Sequence, residues 1–214
     1  MGKSLKEKNR PQLIVFTLVN AIGLAILLQG LKQVLFLFDS ATKGNVGILG
    51  RLVAAPAALA FGIGVLSWAM PKSWKETMIF WRRHDGLPSS HAFTAIAHSD
   101  PRIDRRRLTE KYGELPSSPS EQTAFWYRLY KKTGEDAGVE DAHCAYLRYR
   151  EMTALIGSVM VCFLVASVWI RPSIRTIVLG VLIIVGEYFL LLLAARNAAN
   201  HFVANVLAIG SAAD

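Results

Sequence analysis

At 214 residues, 52% of them hydrophobic and only 19% charged, the chain is too apolar to be a disordered or solvating segment. The apolar residues collect in four long blocks and the charge falls between and beside them, which excludes an ordinary soluble domain. A formal charge of +8 invites a nucleic-acid reading, but basic residues flanking apolar blocks fit a positive-inside membrane protein equally well.

Residues 1–12 are a basic segment with Lys3, Lys6, Lys8 and Arg10, and they precede an apolar block over 13–38. That block is too long for a signal peptide and no small-x-small site is followed by a polar start, so it reads as an uncleaved span. A Gly-containing loop leads to the second block, 48–70. Within it Gly50, Ala54, Ala58 and Gly62 recur every fourth residue, a seam along which another helix backbone can approach closely. The seam serves either packing on the chain's own first helix or a contact between subunits. Pro56 should kink the same helix.

The third block covers 153–170, and Arg171-Pro172-Ser173 turns the chain into the fourth, 174–195. So short a connector makes the last two helices antiparallel neighbours. The expected fold is an all-α integral membrane protein: four transmembrane helices in two hairpins plus a small helical cytosolic domain over 71–152.

Orientation follows from loop charge. The amino-terminal segment carries four basic residues and 71–152 carries fourteen, whereas the opposite loops hold Lys43 with Arg51, and Arg171 with Arg175. Both termini and the large segment are therefore expected in the cytosol of a bacterium, with the spans in its inner membrane. Trp68 and Trp74 at one end of a span and Trp169 at an end of another suit the interfacial belt.

Polar residues inside the blocks are functional candidates, because an intramembrane charge is costly unless paired, protonated or hydrated. Glu187 is placed roughly 12 Å inside the fourth block at about 1.5 Å per residue. Asn20 of the first block falls at similar depth, Ser158 and Cys162 bracket it in the third, and Lys32 is near enough to the other surface to snorkel. Glu187 and Asn20 either line a narrow aqueous path or form a neutral bond between helices.

Residues 73–83 are expected to continue the second block as a helix. Asp100-Pro101 then supplies a cap and first-turn proline for a basic helix ending near Gly113. Ser118-Pro119-Ser120-Glu121 reads as a capping box, with Gly134 closing the helix it begins. A further helix starts near Val139 and runs without a break into the third block. Cys144 lies in this region and Cys162 inside a span, so no disulfide is expected. His84, His91 and His98 recur every seventh residue, but Gly86 and Pro88 interrupt any helix that would align them. No metal site and no cofactor are expected.

Leu87-Pro88-Ser89-Ser90-His91 resembles the Pro-Ser-x-His element of the type 2 phosphatidic acid phosphatases, membrane enzymes that form a phosphohistidine. The resemblance implies that Lys75, Arg82 and Arg196 hold phosphate, and that of His91 and His201 one attacks and the other donates a proton. The chain departs from that pattern: Arg83 stands where proline is needed, the first two elements almost adjoin, and Asn205 replaces an Asp. Leu-Pro-Ser-Ser also recurs at 115–118 without a following histidine, so the first copy reads equally as a serine cap on a short helix.

Arg102, Arg105, Arg106, Arg107 and Lys111, followed by Trp126-Tyr127-Arg128-Leu129-Tyr130-Lys131-Lys132, combine cations with aromatics, a pattern that holds phosphates and stacks bases. A solvated helix near anionic lipid and a core of aromatics account for the same residues. Fourteen basic against twelve acidic residues leave 71–152 only slightly basic, which argues against general nucleic-acid binding and leaves a nucleotide or protein partner. In the tail, 196–214, Asn197, Asn200, His201 and Asn205 share one helical face and Phe202, Val206 and Ile209 another.

The run from Asp100 to Asp104 through Trp126 to Tyr130, set between spans, resembles a group of uncharacterised bacterial inner-membrane proteins. The layout is similar to small membrane effectors of prokaryotic defence systems. What these features imply together is a non-enzymatic, oligomeric membrane protein whose cytosolic part receives a ligand or partner. Arg102, Arg105, Arg106, Trp126, Asn200 and His201 would receive it, and Glu187, Asn20 and the small-residue seam would carry the membrane role. The alternatives are a lipid-phosphate phosphatase using His91 and a passive membrane anchor for a soluble complex.

Overall fold

The computed structural model describes residues 4–30 and 46–212, with backbone alone for helical positions 6, 46–53 and 55. The expected course of the first span beyond Gly30, and with it Lys32 and Lys43, lies outside the described residues. The described residues are helical throughout, with no strand: α1 (Leu5–Gln29), α2 (Val46–Ala69), α3 (Lys72–Phe80), α4 (Arg105–Tyr112), α5 (Pro119–Thr133), α6 (Ala137–Ile170) and α7 (Ile174–Ala212). Between α3 and α4 lie a 3₁₀ turn, Pro88–His91, a π-helical stretch, Ala92–Ile96, and a closing turn, Ala97–Ser99.

Among the described residues three helices are long and apolar enough to cross a membrane, over Glu7–Gln29, Ala137–Ile170 and Ile174–Ala212; α2 contributes a shorter apolar stretch, Pro56–Ala69. The chain is thus built as a helical membrane protein. It divides into two compact units: Met1–Asn9 with Lys72–Arg150 and Leu192–Asp214, and Arg10–Pro71 with Glu151–Leu191.

The second of these units has an apolar core of Ala21, Leu24 and Leu28 from α1, Ile63 from α2, Leu155, Ile156, Val159 and Phe163 from α6, and Ile184 from α7. Glycine decides the packing at one point. A Cβ on Gly180 would stand 2.4 Å from Phe163 Cζ and 2.7 Å from Leu27 Cδ2, so only a residue without a side chain fits there. Outside the core the same helices expose Val15, Val19, Phe61, Trp68, Val168 and Leu182, the apolar surface that lipid rather than water would cover.

The other unit gathers Phe93, Leu108, Trp126, Leu129, Val139, Tyr146, Phe202, Val206 and Leu207 into its own core. The tail is not a separate element, because α7 continues unbroken from the fourth apolar block to Ala212. Its apolar face does what its spacing predicts: Phe202 and Val206 are buried, while Asn200 and His201 stay exposed.

Three local expectations need correction. Residues 73–83 do not prolong α2; the chain breaks at Met70–Pro71 and α3 is a separate helix. The basic helix is capped by Asp104, whose side chain accepts from Arg107 N at 3.0 Å, and starts only at Arg105. Asp100 instead ion-pairs with Arg102, Oδ2 to Nη2 2.7 Å. The serine-cap reading also fails at 87–90, since no side chain caps the 3₁₀ turn; Ser90 Oγ lies 2.6 Å from Leu87 O and 2.8 Å from Asp85 O. At the second copy Ser118 does hold the N-cap position before Pro119, but its hydroxyl donates to Glu121 Oε2 at 2.7 Å rather than accepting from the backbone.

Candidate functional site

A groove of about 430 Å³ opens on the first unit, within the size range of small-molecule sites. Its floor and walls are Trp126, Tyr127 and Tyr130 of α5, His143, Tyr146 and Leu147 of α6, and Ala199, Phe202 and Val203 of α7. Leu87, Pro88 and Ser89 close one side, and Lys72, Glu76, Lys131 and Arg150 supply the charge. Helical spacing explains the convergence: Trp126 and Tyr130 are four apart on α5, His143, Tyr146 and Arg150 three or four apart on α6, so each set shares a face.

The aromatic rings interlock. Trp126 and Tyr130 stack with centroids 5.7 Å apart, and Phe202 meets both edge-on, at 5.2 and 5.4 Å. His143 lies flat on Phe202 at 4.4 Å, and its Nδ1 shares a 3.1 Å hydrogen bond with Tyr130 Oη. Burial first, then the charges of Arg150 and Lys72, hold the His143 pKa below its ordinary 6.5, so the ring is neutral at pH 7. His143 lies outside the span expected over 153–170, in the part of α6 that belongs to this unit. The Trp126 indole N–H is buried with no hydrogen-bond partner among the described residues.

Of the residues expected to receive a ligand, only Trp126 lines the groove. Trp126 lies in the groove, 8% exposed and part of the core. Arg102 is committed elsewhere: it pairs with Asp100 and donates from Nη1 to Asn205 Oδ1 at 3.1 Å, while Asn205 Nδ2 donates to Gly138 O. The Arg102 guanidinium holds the Asp100 carboxyl below its ordinary range. Arg105 is exposed, and Arg106 pairs with Glu110 one turn on, Nε to Oε1 3.0 Å. Asn200 and His201 face outward, with His201 near enough to Asp100 for its charge to act on that carboxylate.

Of the set that resembles a phosphatase, Arg196 is employed in folding. Arg196 Nε donates to Ile79 O at 2.7 Å, capping the end of α3, and its guanidinium covers the Trp81 ring at 4.8 Å. Trp81 itself has φ +54°, a left-handed conformation rare for a bulky residue, which this stacked arginine helps to hold. His91 ends the 3₁₀ turn, half-buried. Among the described residues no group of three His, Cys, Asp or Glu is placed to hold a metal ion.

In the membrane-type unit Asn20 and Glu187 do meet: Asn20 Nδ2 donates to Glu187 Oε1 at 3.2 Å and is also 3.1 Å from Phe16 O. Both line a cavity of about 330 Å³ otherwise walled by Val19, Gly23, Leu24, Leu27, Val159 and Ile184. Of the small-residue seam, Ala54 and Ala58 are exposed and Gly62 faces Cys162 Sγ, 3.8 Å from where its Cβ would be; only the backbone is described at Gly50.

Sequence reasoning missed Gln122, 1% exposed, whose Oε1 accepts from Phe93 N at 2.9 Å and Thr94 N at 3.2 Å while Nε2 donates to Ser117 O at 2.8 Å. It holds the π-helical stretch beside the groove, and nothing near it in sequence signals partners 28 and 29 residues away. Comparison with known proteins adds no family: no family model, no curated protein and no solved structure matches the chain.

Proposed function

We propose that the chain is a non-enzymatic membrane protein whose helical unit, built largely from 71–152, receives a small ligand or protein partner on the cytosolic side and thereby alters the permeability of the membrane unit. The observation that carries this reading is the groove around Trp126, Tyr130, His143 and Arg150. It is apolar-walled, with a few placed polar groups, the make-up expected of a binding site. The response would pass along α6, a single helix that continues from Arg150 into the apolar residues after Glu151. Asn20 and Glu187, at the cavity between α1 and α7, would be the polar element that responds.

In this reading four helices span a bacterial inner membrane with both termini inside, as the distribution of Lys and Arg supports. Copies of the chain associate through the face carrying Ala54 and Ala58, which the chain's own helices leave exposed. An effector role resembling that of prokaryotic defence proteins is the setting this layout fits.

The test is ion flux from liposomes carrying the purified chain. Addition of a crude cytosolic small-molecule extract should accelerate dye release from wild-type vesicles and leave Asn20→Leu/Glu187→Leu vesicles unchanged. Equal release from both, or none from either, contradicts the proposal.

A further inference from the structure

The geometry points to a small flat aromatic anion, a ring system bearing a carboxylate or phosphate, as the occupant of the groove lined by Tyr127, Tyr130, Lys131, His143 and Arg150. This inference deepens the function proposed above and rests on the groove being that protein's receiving site. The ring follows from the aromatics that stay partly accessible in the wall, Tyr127, Tyr130 and His143, which a planar molecule can cover.

The anion follows from charge. Lys72, Lys131 and Arg150 line the groove against one carboxylate, Glu76, which is itself engaged by Lys72, Nζ to Oε1 3.6 Å. Lys131 lies over the exposed Tyr127 ring, 5.4 Å from its centroid, and the Arg150 guanidinium lies 5.9 Å from that of Tyr146. A ring laid against the exposed Tyr127 therefore has Lys131 within reach of its charged substituent, while Tyr146 and Arg150 are buried in the wall. His143 lines the same groove, where burial first and then Arg150 and Lys72 discourage its protonation.

A bound anion would offset those cations. His143 faces Tyr130 Oη from α5, Phe202 from α7, Arg150 on its own helix and Lys72 from α3. Binding should then draw a proton onto His143, and affinity should rise as pH falls. A polymeric nucleic acid does not suit a bounded groove of this volume, and a bare inorganic anion would leave the aromatic walls uncovered.

The experiment is calorimetric titration of the full chain in lipid nanodiscs with four probes: 1-naphthoate, adenosine 5′-monophosphate, adenosine and inorganic phosphate. At least one of the two aromatic anions should saturate the protein, with adenosine and phosphate at least about tenfold weaker. Lys131→Glu, an exposed position that leaves folding intact, should weaken that anion by about tenfold. Affinity should increase between about pH 8 and pH 6, and His143→Gln should flatten the dependence. Which of the two anions binds separates a carboxylate from a phosphate source.

The inference is overturned if neither anion binds up to about 10 mM, if adenosine or phosphate binds as well as they do, or if Lys131→Glu binds normally. Tight binding without any change in ion flux would contradict the proposed function and leave this inference standing. Flux triggered by extract, with neither aromatic anion binding, would do the reverse.

Discussion

Asn20 donates from Nδ2 to Oε1 of Glu187 at 3.2 Å, joining α1 to α7 across 167 residues of chain. The two side chains are partly buried among apolar neighbours, where a polar group without a partner is costly. Glu187→Gln keeps an accepting oxygen at this position and should therefore leave thermal stability in detergent nearly unchanged. Asn20→Ala removes the hydrogen bond and should cost about 0.6 kcal/mol, the usual scale for interhelical polar bonds in membranes. A loss of several kcal/mol from Glu187→Gln, read from chemical denaturation in mixed micelles, would contradict this single-bond role.

Gly180 is fixed by contact rather than by backbone conformation. Its missing Cβ leaves room for the Phe163 ring, which is fully buried and has nowhere to go. Gly180→Ala should destabilise by about 1–3 kcal/mol through overpacking. Gly186, six residues on in the same helix with nothing within 4 Å of its Cβ position, is the control. Gly186→Ala should be neutral or slightly stabilising, since alanine is the better helix former by up to about 1 kcal/mol. Equal unfolding midpoints for the two variants would contradict the close packing of α7 on α6.

Gln122 satisfies two backbone N–H groups in the π-helical stretch and holds Ser117 O. Gln122→Leu keeps the volume but leaves the buried Phe93 N–H without its acceptor, at about 1–3 kcal/mol. Amide exchange should locate the damage: Phe93 and Thr94 should lose protection while α1 and α2 keep theirs. Unchanged exchange at Phe93 would refute this role.

His143 gives the stability of its unit a pH dependence of defined sign. Its folded pKa lies below the ordinary 6.5, so below about that pH the unfolded chain takes up the proton more readily than the folded one. The stability contribution is complete above the unfolded pKa and is lost as pH falls beneath it. The melting temperature should decline between about pH 7 and pH 5, and less steeply in His143→Phe, which keeps the ring stacked on Phe202. Identical pH profiles for the two proteins would show that His143 does not titrate against burial.

The membrane architecture was the most legible part of the sequence, because runs of apolar residues and a three-residue turn act locally. The buried face of the tail was equally plain, since Phe202 and Val206 lie four apart on one helix. Local capping is misread at the basic helix, where the sequence points to Asp100 as the cap. Asp100 and Asp104 both precede the basic helix, and Arg102 decides between them by capturing Asp100. The groove was only half legible: Trp126 stood out as an aromatic beside basic residues, but its partners His143, Arg150 and Phe202 come from other helices, and no spacing rule links them. Arg196 is the converse case, a cation that suggests phosphate in sequence and caps Ile79 O in the fold.

The central claim is that the polar pair between α1 and α7 answers to the helical unit by changing membrane permeability. Its most direct test is the membrane potential of bacterial cells during induced expression, followed with a potential-sensitive dye for the wild type, Glu187→Gln and Lys131→Glu. The account predicts depolarisation by the wild type under a condition that supplies the ligand. It also predicts a clear reduction in Glu187→Gln at equal membrane abundance, and a similar reduction in Lys131→Glu through loss of binding. A potential that never changes on expression, with Glu187→Gln behaving as wild type under every stimulus, would contradict it.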